Sequence, residues 1–209
     1  MNKALLTFCI STLLFALSCG GSSNNAVTNS KNGEVKKGVV PVADAEIAVI
    51  EMETPAYGTV KLELYSNIAP QMVARFKELA KEGYYNGIAF HRINQTVIQA
   101  GDSNTKAGAV PKAPGREGDS GKPNVPAEFS DVPYNTGILG AARFGNDVNS
   151  ANSQFFIMLK REAAFDNKYT VFGKVIEGMN NVMTISGVPK DGERPQEPVR
   201  IKNITIVAK

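Results

Sequence analysis

The sequence predicts a mostly β fold, a barrel of short strands with two helices, in residues 45–209. Many apolar runs of strand length recur between turn-forming residues, whereas only two stretches have the spacing of an amphipathic helix. Short strands in such excess indicate a barrel rather than an alternating α/β fold. A segment of about 165 residues is also an ordinary size for one domain with a single core.

The residues ahead of this domain have the composition of a targeting signal. Lys3 is the only charged residue among residues 1–18, and Ala4–Leu17 is an apolar stretch too short to span a bilayer comfortably. The sequence Ala16-Leu17-Ser18-Cys19 resembles the lipobox of bacterial lipoproteins, in which the cysteine is lipid-modified after cleavage. We therefore expect a signal peptide at 1–18, palmitate on Cys19, and lipid anchoring in the bacterial cell envelope, periplasmic or at the outer membrane. An ordinary secretory signal is the alternative.

Residues 19–44 are predicted to be a flexible tether. They are rich in Gly, Ser, Asn and Lys, and such a composition buries too little surface to offset chain entropy. The only cysteines are Cys9 and Cys19, so the mature domain has no thiol and no disulfide. The formal net charge of the chain is +3, and it falls by one when Lys3 is removed with the signal. So small a positive charge gives no indication of a nucleic-acid partner.

The domain is predicted to begin with an antiparallel hairpin followed by a helix. In the second strand of the hairpin, apolar residues from Val60 to Leu64 alternate with charged ones, which buries one face. Pro70 suits the first turn of a helix, and apolar residues recur at helical spacing up to Gly83. In order, the predicted elements are strands 47–54 and 59–65, helix 70–83, strands 89–93 and 96–99, an irregular loop 103–133, strands 137–143, 153–159 and 170–177, helix 179–185 and strand 199–207.

The stretch from Phe90 to Asp102 is the most informative part of the domain. Two apolar runs flank the polar pair Asn94-Gln95, which predicts a tight hairpin. In that hairpin Arg92 and Gln99 lie near opposing positions and can project from the same face. The residues alone leave open whether this is a functional pair or a solvated strand arginine beside an edge glutamine.

Three motifs in this chain resemble those of the cyclophilins, a family of peptidyl-prolyl cis-trans isomerases. They are Phe90-His91-Arg92 followed by Gln99-Ala100-Gly101-Asp102, then Ser153-Gln154-Phe155-Phe156-Ile157, and finally the run from Tyr169 to Val175. Their order and spacing match the family, and the likeness runs from about Ile47 to the C-terminus. The resemblance implies a closed, antiparallel, eight-stranded barrel capped by two helices, and isomerase activity without a cofactor.

The residue inventory excludes several other chemistries. With one histidine and no thiol in the mature domain, a Ser-His-Asp or Cys-His arrangement would have to use His91. No spacing of His, Cys, Asp and Glu resembles a metal site. Prolyl isomerisation needs neither, because no bond to carbon is made or cleaved. It needs only a site that binds the twisted amide better than the planar forms, and a fixed guanidinium suits that task.

The resemblance also implies roles for individual residues. Arg92 takes the place of the catalytic arginine, and Gln99 that of the glutamine that orients it. Cys19 is the expected lipidation site, and no metal ligand is expected. The substrate-binding residues implied by the resemblance are Val97, Ala142 and Arg143 (through their backbone), Gln154, Phe156 at the base of the proline pocket, Phe165 at its rim, and Tyr169.

Two positions depart from the family pattern. The turn after Ile93 is one residue shorter, and Thr96 stands where the family has a pocket phenylalanine, which is expected to open one wall of the pocket. Ala164 stands at the position tied to tight cyclosporin binding, so weak sensitivity to that drug is expected.

Three hypotheses follow about function. The first is a lipid-anchored, monomeric isomerase that acts on X-Pro bonds of exported proteins and assists their folding. The second is a proline-peptide-binding module or chaperone with weak or no turnover, for which Thr96 and the shortened turn are the support. The third is a surface attachment protein that uses the barrel only as a scaffold, since fold alone does not decide function.

Overall fold

A computed structural model describes residues 33–108 and 120–209 of the chain. The predicted signal peptide, Cys19 and part of the predicted loop 103–133 lie outside these residues. The strands are β1 (Glu46–Met52), β2 (Thr59–Leu64), β3 (Ala89–Phe90), β4 (Arg92–Ile93), β5 (Val97–Ala100), β6 (Ile138–Ala141), β7 (Phe155–Met158), β8 (Val171–Glu177), β9 (Lys190–Asp191), β10 (Arg194–Pro195) and β11 (Val199–Ala208); the α-helices are α1 (Pro70–Lys81) and α2 (Met179–Ser186).

The described strands form a nearly closed antiparallel barrel. Nine of them hydrogen-bond in the order β3-β11-β1-β2-β8-β6-β7-β5-β4. The two end strands, β3 and β4, are consecutive in the chain and are separated only by His91. One short stretch therefore pairs with β11 at one end and β5 at the other, which makes an eight-stranded barrel if it is counted once. The predicted mostly β fold with two helices is confirmed.

Helix α1 buries one apolar face against the barrel. Its residues Phe76 and Leu79 are fully buried, and the Phe76 ring lies 5.4 Å from those of Tyr85, Phe155 and Phe172 between centroids. Pro70 begins the helix, as predicted from the sequence. In the part of the chain that the structure describes, no helix is both long and apolar enough to cross a membrane.

Part of the predicted tether contacts the domain. The Nζ of Lys36 donates a hydrogen bond to the carbonyl oxygen of Ile68 at 2.8 Å. Further along, the Nζ of Lys77 on α1 donates to Asp44 Oδ2 at 2.6 Å. Contacts with the barrel domain thus begin N-terminal to residue 45, because lysine and aspartate side chains of 36–44 have partners on α1 and the segment before it.

Glu128, in the predicted irregular loop, caps the N-terminus of α1. The N-cap residue Ala69 has no side-chain acceptor, and the Glu128 carboxylate instead accepts from the N–H groups of Gln71 (3.2 Å) and Met72 (2.9 Å). Glu128 is only 2% exposed, and this burial raises its carboxyl pKa despite those two hydrogen bonds. The first-turn amides of α1 therefore depend on a residue more than fifty positions away in the chain.

We expect Glu128→Ala to lower the free energy of unfolding by about 1–3 kcal/mol, because two N–H groups in the first turn of α1, of which that of Met72 is buried, lose their acceptor. Glu128→Gln keeps one acceptor oxygen and is expected to have a smaller effect. Urea unfolding followed by circular dichroism measures both. Equal midpoints for the parent and Glu128→Ala would show that the cap contributes nothing.

Candidate functional site

The β4–β5 hairpin places Arg92 beside Gln99. The two residues are directly paired across the strands, as predicted, and Arg92 Nη1 donates to Gln99 Oε1 at 3.2 Å. Gln99 Nε2 in turn donates to Gln154 Oε1 at 2.8 Å. Gln99 and Gln154 are nearly buried, whereas the Arg92 side chain is 46% exposed. The guanidinium is therefore accessible to solvent, and its position is fixed by the Gln99 amide, which is itself hydrogen-bonded to Gln154.

The turn between β4 and β5 is closed by the side chain of Asn94. Its Oδ1 accepts from the N–H groups of Thr96 (2.8 Å) and Val97 (2.9 Å). This is an Asx-type turn, in which a side-chain oxygen accepts the hydrogen bond that a backbone carbonyl accepts in an ordinary turn. These bonds fix the turn, and Val97 lines the site.

An aromatic cluster forms the apolar wall of the site. Phe156 is 3% exposed, and the rings of Phe165 and Tyr169 lie edge-on to it at centroid distances of 5.7 and 5.8 Å. Tyr134 stacks on Phe156 at 5.8 Å and is fully buried. Such ring pairs hold one another in place, since offset and edge contacts are favourable beyond their buried area.

The Phe156 ring lies directly over Gly140 of the neighbouring strand. The two residues are paired between β6 and β7, and a Cβ atom added at Gly140 would lie 2.3 Å from Cζ of the ring. No side chain larger than hydrogen fits there without moving the ring. Gly140 therefore sets how deeply Phe156 lies in the barrel wall.

These side chains surround one cavity of about 220 Å³. It is lined by Arg92, Val97, Gln99, Ala142, Arg143, Phe156, Phe165 and Tyr169. The lining combines the Arg92 guanidinium with aromatic rings, so a small apolar ring can be buried next to a hydrogen-bond donor. A larger cavity of about 310 Å³ beside Phe90 and His91 contains none of the predicted site residues.

Arg143 supports the loops around the cavity. Its Nη1 donates to the carbonyl oxygens of Phe144 (2.9 Å) and Gly145 (3.0 Å), and its Nη2 to that of Lys168 (3.1 Å). The guanidinium carbon also lies 4.6 Å from the centroid of the Tyr169 ring, a cation–π contact. These bonds leave the backbone of Arg143, rather than its side chain, for a bound peptide.

Eight of the nine residues predicted at the site meet at the cavity. Gln154 does not line the cavity. Its side-chain oxygen accepts a hydrogen bond from the Gln99 amide. The N–H of Ala142 donates to the carbonyl oxygen of Gln154 at 3.0 Å, so only the carbonyl of Ala142 is left for a peptide. The predicted lipidation site, Cys19, lies outside the described residues.

Two residues that the sequence analysis missed belong to the site. Tyr134 backs the aromatic wall, and Glu193 binds Arg92 through Nε and Oε2 at 2.5 Å. The hydrogen bond from Arg92 is the main cause that lowers the carboxyl pKa of Glu193. Neither residue lies in a motif, and Glu193 is 101 positions from Arg92, so no local pattern could have connected them. Among the described residues, no group of three or more His, Cys, Asp and Glu side chains could hold a metal ion.

Comparison with known proteins gives one consistent family. Residues 49–206 match the family described as cyclophilin type peptidyl-prolyl cis-trans isomerase/CLD. A probable peptidyl-prolyl cis-trans isomerase of Brucella suis is 43% identical over 157 residues, covering 72% of this chain and 79% of that protein. The peptidyl-prolyl cis-trans isomerase ppi1 of Schizosaccharomyces pombe is 38% identical over 160 residues, covering 74% of this chain and 96% of that protein.

A solved structure shares the fold. A cyclophilin type peptidyl-prolyl cis-trans isomerase of Cryptosporidium parvum, crystallised in the presence of the dipeptide Ala-Pro, superposes with a TM-score of 0.66 and 27% identity. The superposition covers 78% of this chain and 99% of that one.

Proposed function

Because this chain belongs to the cyclophilin-type peptidyl-prolyl cis-trans isomerase family, we propose that it accelerates X-Pro bond rotation in exported proteins while anchored to the membrane through Cys19. In this proposal the protein acts as a monomer in the bacterial cell envelope and assists the folding of its substrates. The isomerase activity follows from the family; the location, the anchor and the substrates are our inference from the leader sequence.

The observation that supports the proposed mechanism is the supported guanidinium of Arg92 at the end of an aromatic cavity. Rotation about an X-Pro bond has a barrier of about 18–20 kcal/mol because it breaks amide resonance. At the top of the barrier the proline nitrogen regains its lone pair. A donor from Arg92 to that nitrogen stabilises only the twisted amide, and each 1.4 kcal/mol of such preference raises the rate about tenfold.

The cavity wall orients the substrate. We propose that the proline ring packs on Phe156 between Val97 and Phe165, while the Gln99 amide and the carbonyl of Ala142 bind the flanking backbone. Burial in an apolar site also removes water that would otherwise bind the planar amide and the guanidinium.

The alternative function, a peptide-binding module with little turnover, is based on Thr96 and on the shortened turn that the family resemblance implies. Thr96 does not line the cavity, so this residue supplies none of its wall. Three aromatic side chains nevertheless line it, and Arg92 keeps its supporting glutamine. The site thus retains both the apolar surface and the donor that the reaction needs, and this favours the enzyme.

The function is tested with the chain from residue 20 onward, which keeps the segment 36–44 that contacts the domain. Two-dimensional NMR exchange spectra of a short Ala-Pro peptide report the cis-trans rate directly. Acceleration of exchange supports the enzyme, whereas peptide-dependent shift changes without acceleration would support the binding module.

We expect Cys19→Ser to abolish incorporation of a palmitate analogue when the full chain is expressed in a bacterium, because no other cysteine follows the leader. Cys9→Ser is the matched control and is expected to label like the parent, since Cys9 lies within the predicted signal peptide. Gel fluorescence after coupling of a dye to the analogue measures both. An unlabelled parent, or a labelled Cys19→Ser variant, would contradict the anchor and favour an ordinary secretory signal.

A further inference from the structure

Glu193 lies between strands β9 and β10, in the turn of a hairpin beside the proposed catalytic arginine. Its Oε2 accepts from Arg92 Nε at 2.5 Å. The two side chains are 46% and 51% exposed, and ion pairs as exposed as this one contribute little to stability. Stabilisation of the fold is therefore not a sufficient reason for this contact.

Two of the three guanidinium nitrogens of Arg92 donate hydrogen bonds to neighbouring side chains. Nε donates to Glu193 and Nη1 donates to Gln99, on two sides of the planar group. Within the residues that the structure describes, Nη2 has no hydrogen-bond acceptor. Two fixed acceptors define the plane of a guanidinium and leave a donor for a third partner.

The Glu193 carboxylate is itself held in place. Its Oε1 accepts from Asn94 Nδ2 at 2.9 Å, and its backbone carbonyl accepts from the N–H of Ile93 at 2.7 Å. Asn94 is also the residue that closes the β4–β5 turn, through its side-chain oxygen. The turn and the Glu193 contact are therefore parts of one hydrogen-bonded unit.

The hairpin that carries Glu193 is tied to helix α2. The Nζ of Lys190 donates to the carbonyl oxygens of Ser186 (2.7 Å) and Val188 (3.2 Å), at the end of the helix. Across the hairpin, Gln196 Nε2 donates to Asp191 Oδ1 at 2.9 Å. Glu193 thus projects from a turn whose two strands are anchored, and its position does not depend on Arg92 alone.

We propose that Glu193 is a positioning residue for the isomerase reaction, which holds the plane of the Arg92 guanidinium so that Nη2 is available to the substrate. The proposal rests on the proposed role of Arg92. An unsupported arginine samples many rotamers, and only a fraction of them aim a donor at the proline nitrogen. Loss of the carboxylate lowers that fraction, and therefore kcat, while the aromatic cavity that binds proline is unchanged.

The test compares Glu193→Ala, Glu193→Gln and Arg92→Ala, with Glu197→Ala as the matched control. Glu197 is an exposed glutamate in the same connection between α2 and β11 and is not part of the site. We expect kcat to fall about tenfold in Glu193→Ala and about threefold in Glu193→Gln, which keeps an acceptor oxygen, with KM within twofold of the parent. Glu197→Ala is expected to match the parent.

A spectroscopic readout separates positioning from a general structural effect. The carboxylate shields the Arg92 Nε–H from water, so its exchange rate measured by ¹⁵N NMR is expected to rise severalfold in Glu193→Ala and to stay the same in Glu197→Ala. In the background of Arg92→Ala, Glu193→Ala is expected to cause no further loss of rate, because the residue it positions is gone.

Each result decides one of two questions. If Arg92→Ala retains the parent rate, the proposed function of Arg92 is wrong. If Arg92→Ala loses the rate but Glu193→Ala keeps the parent kcat and Nε–H exchange, the positioning role alone is wrong. A fall in kcat accompanied by an equal fall in the Arg92→Ala background would also overturn it, since Glu193 would then act through the fold.

Discussion

Arg92→Ala is expected to lower kcat/KM for an Ala-Pro peptide by about two to three orders of magnitude, with a fully folded domain. The loss follows from removing the guanidinium that is proposed to donate to the proline nitrogen, and deletions of a transition-state donor in other enzymes have effects of this size. The change is at an exposed side chain, so the free energy of unfolding is expected to change by less than about 1 kcal/mol. NMR exchange gives the rate, and urea unfolding gives the stability.

Two further variants sharpen this result. Arg92→Lys keeps the charge but loses the planar fork, so it is expected to recover only a small part of the rate. Arg194→Ala removes an exposed arginine from the neighbouring hairpin, outside the cavity, and is expected to match the parent. Near-parental activity in Arg92→Ala would exclude the guanidinium as the catalytic donor. The Gln99 amide would then be the next candidate donor.

Gly140→Ala is expected to raise KM for the same peptide about ten- to a hundredfold while the fold is kept. The new methyl group would lie 2.3 Å from Cζ of Phe156, so the ring must move out of its place at the base of the cavity. The ring has little room, because Tyr134, Phe165 and Tyr169 surround it. Overpacking of this kind typically costs about 1–3 kcal/mol of stability.

Gly145→Ala is the matched control for this change. A Cβ atom at Gly145 meets no atom within 4 Å, so the KM and the unfolding midpoint are expected to match the parent. The double variant Gly140→Ala/Phe156→Leu relieves the overlap and is expected to recover stability but not peptide affinity, because the aromatic floor is lost. An unchanged KM in Gly140→Ala would mean that the position of the Phe156 ring does not control binding.

Local sequence predicted most of the elements and the centre of the site. Apolar alternation and turn residues placed the strands. The observed register pairs Arg92 with Gln99, but its two central turn residues are Gln95 and Thr96 rather than the predicted Asn94 and Gln95. Arg92 opposite Gln99 is a consequence of that register alone, because paired residues in antiparallel strands share a face.

Contacts between distant segments were not predictable from the same patterns. Glu128 caps α1, Glu193 binds Arg92 and Tyr134 stacks on Phe156, yet each looks like an ordinary loop residue in the sequence. Gln154 was predicted to bind the substrate, and the structure adds that it accepts a hydrogen bond from Gln99 and does not line the cavity. A motif identifies such a residue but does not say which neighbour it will touch.

The sequence by itself determined the order of the main strands along the chain, the presence of the Arg92 hairpin and the family, because these depend on short-range periodicity and on motif spacing. Only the tertiary structure decided how the site is supported. Closure of the barrel brings β4 next to the hairpin that carries Glu193, and the pairing of β6 with β7 sets Phe156 over Gly140. The physical reason is that side-chain hydrogen bonds and ring contacts depend on distances of a few ångströms between residues far apart in the chain. Periodicity places a residue on a face, whereas packing decides which partner lies across from it.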